Sequence, residues 1–161
     1  ALAEMRSLLL ELRPSSLLET QLGDLLRQLS EAASGREGIP VDVLVEGNAS
    51  LPSEVHIALY RIAQEALNNV VKHARASHVL IHLQYTKEKR MGEIPENDCG
   101  VQLTIKDDGR GFDIIQTPHH RLGLEIMQER AQAISADLCI ETHPGQGTAV
   151  IVTWNRGGIN E

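Results

Sequence analysis

Aromatic residues are nearly absent from this 161-residue chain, which contains one Trp, two Tyr and one Phe. The core is therefore expected to be aliphatic, built from Leu, Ile, Val and Ala. Proteins that bind single-stranded nucleic acid stack bases on exposed rings and hold phosphates with clustered cations. This chain has few rings and a formal net charge of −7. We therefore exclude nucleic acid as a partner.

Cysteines and long apolar runs are also scarce. Cys99 and Cys139 lie far apart and match no metal-binding or redox spacing. Two free thiols in a reducing compartment are favoured over a disulfide. No segment approaches the ~18 apolar residues of a membrane span, and the chain opens without a signal-like segment. We expect an excised cytoplasmic domain of a protein whose membrane anchor, where it has one, lies upstream.

Helical spacing of apolar residues is found in four segments. These segments cover residues 2–12, 18–29, 53–74 and 122–134. Pro14 is expected to end the first helix, because the residue before a proline is biased away from helical geometry. Ser15 or Ser16 is predicted to cap the second helix, and Gly35 and Gly38 to end it.

Strands are predicted where apolar residues alternate with polar ones between turn signals. They cover residues 41–46, 79–85, 101–105, 138–142 and 149–154. The charged segment Thr86–Gly100 is interpreted as an exposed hairpin loop, with a docking loop as the alternative. The tail Asn155–Glu161 is expected to fray. The mixture of helices and hairpins predicts an α/β (α+β) two-layer sandwich, with helices on one face of a sheet.

The central helix carries the first group of candidate site residues. Spacings of three and four residues place Glu65, Asn69, Lys72 and His73 along one flank. An amide oxygen is a hard ligand that suits Mg²⁺, and lysine offers a point charge to phosphate. The alternative is a solvated polar face on an amphipathic helix.

A second group follows the third predicted strand, in the segment Asp107–Phe112. Gly109 and Gly111 let the backbone approach a ligand, because glycine has no Cβ. A buried Asp107 carboxylate can accept a hydrogen bond from an exocyclic amine such as that of adenine. The alternative is an ordinary turn, while a calcium loop is excluded by its missing ligand spacing.

Two further glycine motifs come later in the chain. Gly123 lies near the start of a helix, where free backbone N–H groups favour phosphate oxygens. The alternative there is a plain surface loop and helix cap. The segment Gly145–Thr148 is glycine-rich and, taken alone, is a hairpin turn.

Together and in this order, the four motifs resemble those of the ATP-binding catalytic domain of sensor histidine kinases. That domain belongs to the GHKL group, which includes gyrase, Hsp90 and MutL-type proteins. The matching segments are the asparagine box Glu65–Ala74 and the glycine boxes Asp107–Phe112, Leu122–Leu124 and Gly145–Thr148. The sequences of Glu65–Ala74 and Met127–Ala131 are most similar to those of the nitrate/nitrite-sensor subfamily. The segment Glu11–Pro14 resembles the end of that subfamily's dimerization helix.

The resemblance implies a Bergerat-type fold, a mixed and mostly antiparallel sheet covered by helices on one face, with ATP between the central helix and a lid. The resemblance also implies the domain bounds: residues 1–14 are the last part of a dimerization helix or a linker, residues 15–156 form the ATP-binding domain, and residues 157–161 are a tail. Glu65 and Asn69 are the implied catalytic residues: Asn69 would hold Mg²⁺, and Glu65 would assist the metal or a polarised water. The other implied nucleotide contacts are Lys72, His73, Asp107, Gly109, Gly111, Arg121, Gly123, Leu124 and Thr148. Arg121 stands near where relatives have a further glycine.

None of the seven histidines is followed by Asp or Glu, the pairing expected at a phosphorylated histidine. The resemblance therefore implies transfer of the γ-phosphoryl of Mg-ATP to a histidine in a missing dimerization domain. A response regulator would then take it, and the full-length protein would be a homodimer. The alternatives are a gyrase- or MutL-type ATPase, a partner-binding scaffold without nucleotide, and a serine kinase acting as an anti-sigma factor.

Overall fold

The structure is a computed structural model that describes residues 14–87, 99–113 and 121–156. Its helices are α1 (Pro14–Leu18), α2 (Leu22–Glu37), α3 (Ser53–Asn69) and α4 (Arg121–Ala133). A π-helical turn, Val70–Ala74, continues α3 directly. The strands are β1 (Val41–Glu46), β2 (Val79–Lys87), β3 (Cys99–Asp107), β4 (Asp137–Thr142) and β5 (Thr148–Asn155).

The five strands form one mixed sheet in the order β1-β2-β3-β5-β4. β1 and β2 are parallel, and every other neighbouring pair is antiparallel. α3 is the crossover that a parallel pair requires. The register of β3 and β5 places Asp107 opposite Thr148 at the end of the ladder. The predicted mixed, mostly antiparallel sheet is confirmed.

Helices cover one face of this sheet. The buried side chains of the three central strands alternate with exposed or half-buried ones, as a one-sided sheet requires. They pack with the apolar side of α3 into a single core, which includes Leu59, Ile62, Ile81, Leu103, Ile105 and Val152. The opposite face carries polar pairs such as His78–Asp42 and His82–Glu46. The predicted two-layer sandwich is confirmed.

α3 forms where its apolar stripe predicts. It begins at Ser53, directly after Pro52, and Glu54 in its first turn faces the positive end of the helix dipole. Its buried residues include Val55, Leu59, Ile62, Ala66 and Leu67. The π-helical turn then leads into Arg75, which has a left-handed φ of 50°.

The predicted cap at Ser15 or Ser16 is wrong. Both serines lie in the separate short helix α1, and α2 starts later, with Gln21 at its cap position and no side-chain cap. The reason is tertiary, because Leu17 is 0% exposed and its backbone is hydrogen-bonded by His56 of α3. The predicted end is confirmed at Gly38 (φ 68°), which donates its N–H to the Ser34 carbonyl, whereas Gly35 lies inside α2 and does not end it.

The strand ends differ from the predicted loop and tail. Thr86 and Lys87 extend β2, and Cys99 and Gly100 begin β3, so the predicted loop is too long at both ends. Asn155 belongs to β5 and pairs with Gly100, so the tail also starts too early. At these positions the strands β2, β3 and β5 remain paired in a continuous antiparallel ladder, where a loop and a frayed tail were predicted.

Arg156 fastens the end of β5. Its N–H donates to the Cys99 carbonyl at 3.2 Å, and its Nη2 donates to the Ser50 carbonyl at 3.0 Å. Cys99 and Cys139 are free thiols, as expected. Within the described ranges, no helix is long and apolar enough to cross a membrane. The predicted helix 2–12, most of the 86–100 loop and the 157–161 tail lie outside those ranges.

Candidate functional site

A cavity lies between the end of α3, the start of α4, the end of β3 and the start of β5. Its lining includes residues from all four sequence motifs: Asn69, His73, Asp107, Gly111, Leu124 and Thr148. Motifs that are far apart in the chain therefore converge on one concave, mostly apolar space.

Asp107 is the buried acid of this cavity. Its side chain is 4% exposed, and its Oδ1 accepts the Gly109 N–H at 2.8 Å. Burial raises the pKa of the Asp107 carboxyl, while hydrogen bonds from the backbone N–H groups of Gly109 and Thr148 oppose that rise. A carboxylate has about four acceptor positions, so these two donors leave capacity for a ligand donor.

The glycines beside Asp107 are required by contacts within the protein. A Cβ on Gly109 would overlap the Ala74 carbonyl oxygen at the end of the π-helical turn. Gly111 has a φ of 59°, and a Cβ there would overlap the His143 carbonyl oxygen. These close approaches bring the helix end and the β4–β5 turn around Asp107. The predicted approach of both glycines to a ligand stays a prediction.

Thr142 joins the second and fourth motifs, a role that was not predicted from the sequence. Its buried hydroxyl accepts the Phe112 N–H at 3.1 Å and lies 2.9 Å from the Thr148 hydroxyl. Thr142 and Thr148 face each other in the register of β4 and β5. The available signal was the pair of threonines flanking a glycine-rich turn, which predicts a cross-strand hydroxyl pair.

Glu65 and Asn69 meet the first turns of α4 at Gly123. A Cβ on Gly123 would lie 2.7 Å from Glu65 Oε1 and 3.2 Å from Asn69 Nδ2, so only glycine fits without displacement. Within the described part of the chain, the side chains of Glu65 and Asn69 form no hydrogen bond or ion pair. The side-chain oxygens of Glu65 and Asn69 are therefore available as metal ligands beside the start of α4.

The carboxylate of Glu65 and the amide oxygen of Asn69 suit a Mg²⁺ ion that is bound together with a nucleotide. Mg²⁺ prefers oxygen ligands and is usually held by one or two protein groups plus phosphates and water. The ranges 14–87, 99–113 and 121–156 contain no group of three His, Cys, Asp or Glu that could hold a metal ion alone. Phosphate oxygens would thus have to complete the coordination at Asn69 and Glu65.

The flank predicted for the central helix is divided between two concave surfaces. Asn69 and His73 line the cavity. Glu65 and Lys72 line a separate groove between α2, α3 and α4. Lys72 is exposed there, so its side chain would have to extend to reach a phosphate. The side chain of Arg121, the first residue of α4, lies outside the described residues.

Asp108 holds the segment that follows α3, a role that the sequence did not indicate. Its carboxylate accepts the backbone N–H groups of Ser77 and His78 at 2.8 and 2.9 Å, and also the Ser77 hydroxyl. These donors, the Ser77 hydroxyl first, lower the pKa of Asp108. The adjacent carboxyls thus differ: Asp107 lines the cavity, and Asp108 fixes the backbone beside it.

The fold and the site define a GHKL-type ATPase domain. Residues 54–157 match the family described as histidine kinase-, DNA gyrase B-, and HSP90-like ATPase, and the chain belongs to that family.

Sensor proteins are among its relatives. The chain is 34% identical to the signal transduction histidine-protein kinase/phosphatase DegS of Brevibacillus brevis over 154 residues, 95% of this chain and 37% of DegS. It is 31% identical to the sensor protein VraS of Staphylococcus aureus over 150 residues, 92% of this chain and 40% of VraS. The chain thus spans well under half the length of these relatives.

Solved histidine kinase structures share the fold. The histidine kinase domain of the Erythrobacter litoralis blue-light activated kinase superposes with a TM-score of 0.61 at 24% identity, covering 85% of this chain and 66% of that one. The mycobacterial sensor histidine kinase MprB gives a TM-score of 0.57 at 16% identity, covering 84% and 95%. At these identities, the likeness concerns the fold alone.

Proposed function

We propose that this chain is the ATP-binding catalytic domain of a two-component sensor histidine kinase. It transfers the γ-phosphoryl of Mg-ATP to a histidine of a dimerization domain elsewhere in the same protein. The observation that carries this proposal is the convergence of four distant motifs on the lining of one cavity. The histidine as acceptor is supported by the name of one relative, the histidine-protein kinase/phosphatase DegS.

The adenine end of the nucleotide is assigned to the buried end of the cavity. Asp107 accepts a hydrogen bond from the exocyclic amine, and Thr148 completes the network from the neighbouring strand. The apolar side chains Ile105, Met127 and Val150 line the same cavity and suit the faces of a purine. Gly109 and Gly111 hold the turn in the shape that keeps Asp107 in place.

The phosphate end is assigned to the junction of α3 and α4. Asn69 and Glu65 offer oxygen donors beside Gly123, where Mg²⁺ would be held and would neutralise charge on the phosphates. His73 is assigned to the phosphates from the π-helical turn that continues α3, and Lys72 would have to extend from the neighbouring groove to reach them. Arg121, Gly123 and Leu124 are assigned to the phosphates from the start of α4. Phosphoryl transfer depends mainly on positioning and charge neutralisation, so this set of residues is sufficient.

The rest of the assembly follows from the same proposal. Residues 1–14 connect to the dimerization helices, residues 15–156 form the catalytic unit, and residues 157–161 are a tail. The full-length protein is a homodimer that works on cytoplasmic ATP and passes its phosphoryl group to a response regulator.

Calorimetry with Mg-ADP tests the nucleotide site. The 161-residue chain is expected to bind Mg-ADP, and Asn69→Ala to bind it more weakly. Adding EDTA should weaken binding to the wild-type chain and have a smaller effect on Asn69→Ala, because the variant has lost the metal ligand. Absence of binding at millimolar protein would refute the proposal.

The acceptor is tested in the full-length protein with ATP labelled at the γ-phosphate. The proposal predicts a labelled protein whose phosphoryl bond is labile to acid and stable to alkali, as a phosphohistidine is. If the isolated chain instead hydrolyses ATP, and Glu65→Ala abolishes that hydrolysis, the domain is an ATPase of the gyrase or MutL type.

A further inference from the structure

Arg110 occupies the end of the π-helical turn without lining the cavity. Its Nε donates to the His73 carbonyl at 2.7 Å, and its backbone N–H donates to the Ala74 carbonyl at 2.8 Å. One residue of the Asp107–Phe112 turn thus caps two consecutive carbonyls of the central helix. The contact spans 37 residues of sequence.

Helix ends need such partners. The last carbonyls of a helix have no intrahelical donor and form the negative end of the helix dipole, where a cation is favourable. π-helical turns are uncommon and recur at functional sites. Here the turn Val70–Ala74 ends at Arg75 in the left-handed region. The guanidinium of Arg110 therefore satisfies a helix end that the local sequence leaves open.

The turn that carries Arg110 is anchored on two more sides. The Arg110 carbonyl accepts the Gly145 N–H from the β4–β5 turn at 2.6 Å. Asp108, two residues earlier, holds the backbone of Ser77 and His78. Arg110 is therefore the point at which the helix end, the acidic turn and the glycine-rich turn are tied together.

We propose that Arg110 is a positioning residue of the nucleotide site, which sets the distance between the helix side of the cavity, Asn69 and His73, and its acidic side, Asp107. The proposal rests on the proposed function, because the nucleotide is what spans those two sides. Arg110 does not line the cavity that the nucleotide is proposed to occupy. It acts through the His73 and Ala74 carbonyls, which it holds against the backbone of the turn that begins at Asp107.

The test compares Arg110→Met with Arg156→Met in the 161-residue chain. Arg156 is the matched control, because it is also exposed and also donates to a backbone carbonyl, that of Ser50, far from the cavity. The first measurement is the ¹⁵N–¹H NMR spectrum without nucleotide. Arg110→Met is expected to shift the amide signals of residues 70–75 and 109, and Arg156→Met to leave them in place.

The second measurement is calorimetry with Mg-ADP and with adenosine. Arg110→Met is expected to weaken Mg-ADP binding roughly fivefold, the factor that corresponds to a hydrogen bond of about 1 kcal/mol. Adenosine should be affected less, because it lacks the phosphates that reach the helix side. Arg110→Lys should recover part of the loss, since its ammonium can reach the same carbonyl.

The outcomes separate this proposal from the proposed function. Unchanged signals in the π-helical turn overturn the positioning role, and so does Mg-ADP binding by Arg110→Met within twofold of the wild-type chain. An equal loss of Mg-ADP and adenosine affinity also overturns it, because general destabilisation predicts that result. A wild-type chain that binds no nucleotide refutes the proposed function, and the NMR comparison still decides whether Arg110 shapes the helix end.

Discussion

Replacing Asp107 by asparagine exchanges one acceptor oxygen for an NH₂ donor inside the cavity. In the wild-type chain, Oδ1 accepts the Gly109 N–H at 2.8 Å. The single oxygen of asparagine is expected to keep that hydrogen bond, so its NH₂ group takes the place of the other carboxylate oxygen. It then faces the exocyclic amine of adenine, and two donors oppose each other.

The magnitude follows from the hydrogen bond that is lost. A hydrogen bond to a charged group contributes about 1.5–3 kcal/mol, which corresponds to roughly a tenfold to hundredfold loss of affinity for Mg-ADP. Hypoxanthine carries a carbonyl oxygen where adenine carries the amine. The Asp107→Asn amide can donate to that oxygen, so Mg-IDP should lose much less affinity than Mg-ADP, or gain some.

The assay is calorimetry of both nucleotides with the wild-type chain, Asp107→Asn and the control Asp137→Asn. Asp137 is an exposed carboxylate at the start of β4, away from the cavity. The preference for Mg-ADP over Mg-IDP should fall at least tenfold in Asp107→Asn and stay constant in Asp137→Asn, in line with the magnitude above. If Asp107→Asn melts cooperatively and keeps the wild-type preference for Mg-ADP over Mg-IDP, Asp107 does not accept a hydrogen bond from the adenine amine.

Three further predictions concern pH and the two turns. Because burial raises the pKa of Asp107, Mg-ADP affinity should fall as pH drops through that raised pKa. By linkage, the free energy of unfolding should decrease as pH rises from the pKa of Asp107 in the unfolded chain to its higher pKa in the folded chain, because the buried carboxyl must ionise. Thermal melts of Asp107→Asn should not show this decrease. Gly111→Ala should destabilise the chain by at least about 1 kcal/mol in urea titration, given its φ of 59°, and an unchanged midpoint would contradict this. Thr142→Val should lower the free energy of unfolding by about 1 kcal/mol, since the half-buried Phe112 N–H loses the Thr142 hydroxyl as an acceptor. Thr142→Ser should lower it less, and equal losses would argue against the hydroxyl.

Periodicity predicted the elements that are long and strongly amphipathic. The stripe of α3 from Val55 to Val70 fixes its buried side, and the alternation in Val79–Tyr85 fixes the covered face of β2. The four site motifs were readable only together and in their order, because each one alone is compatible with an ordinary turn, cap or polar face. Burial of Asp107 and convergence on one cavity then agree with that interpretation.

What failed depends on contacts between distant segments. Ser15 looks like a helix cap, yet burial of Leu17 against the core produces a separate short helix. Spacings of three and four residues put Asn69 and Lys72 on one broad flank, but two neighbouring helices divide that flank into a cavity and a groove. Arg110 matters through a partner on another element, so the local pattern carries no sign of its role, whereas Thr142 could have been found from its pairing with Thr148 across the turn.

The central claim is that the asparagine-bearing helix and the acidic glycine turn bind opposite ends of one nucleotide. A crystal structure of the chain with Mg²⁺ and a non-hydrolysable ATP analogue tests it most directly. The account predicts the adenine amine within hydrogen-bond distance of Asp107 and Mg²⁺ on the amide oxygen of Asn69. A nucleotide bound elsewhere, or one that contacts only one of the two motifs, would contradict it.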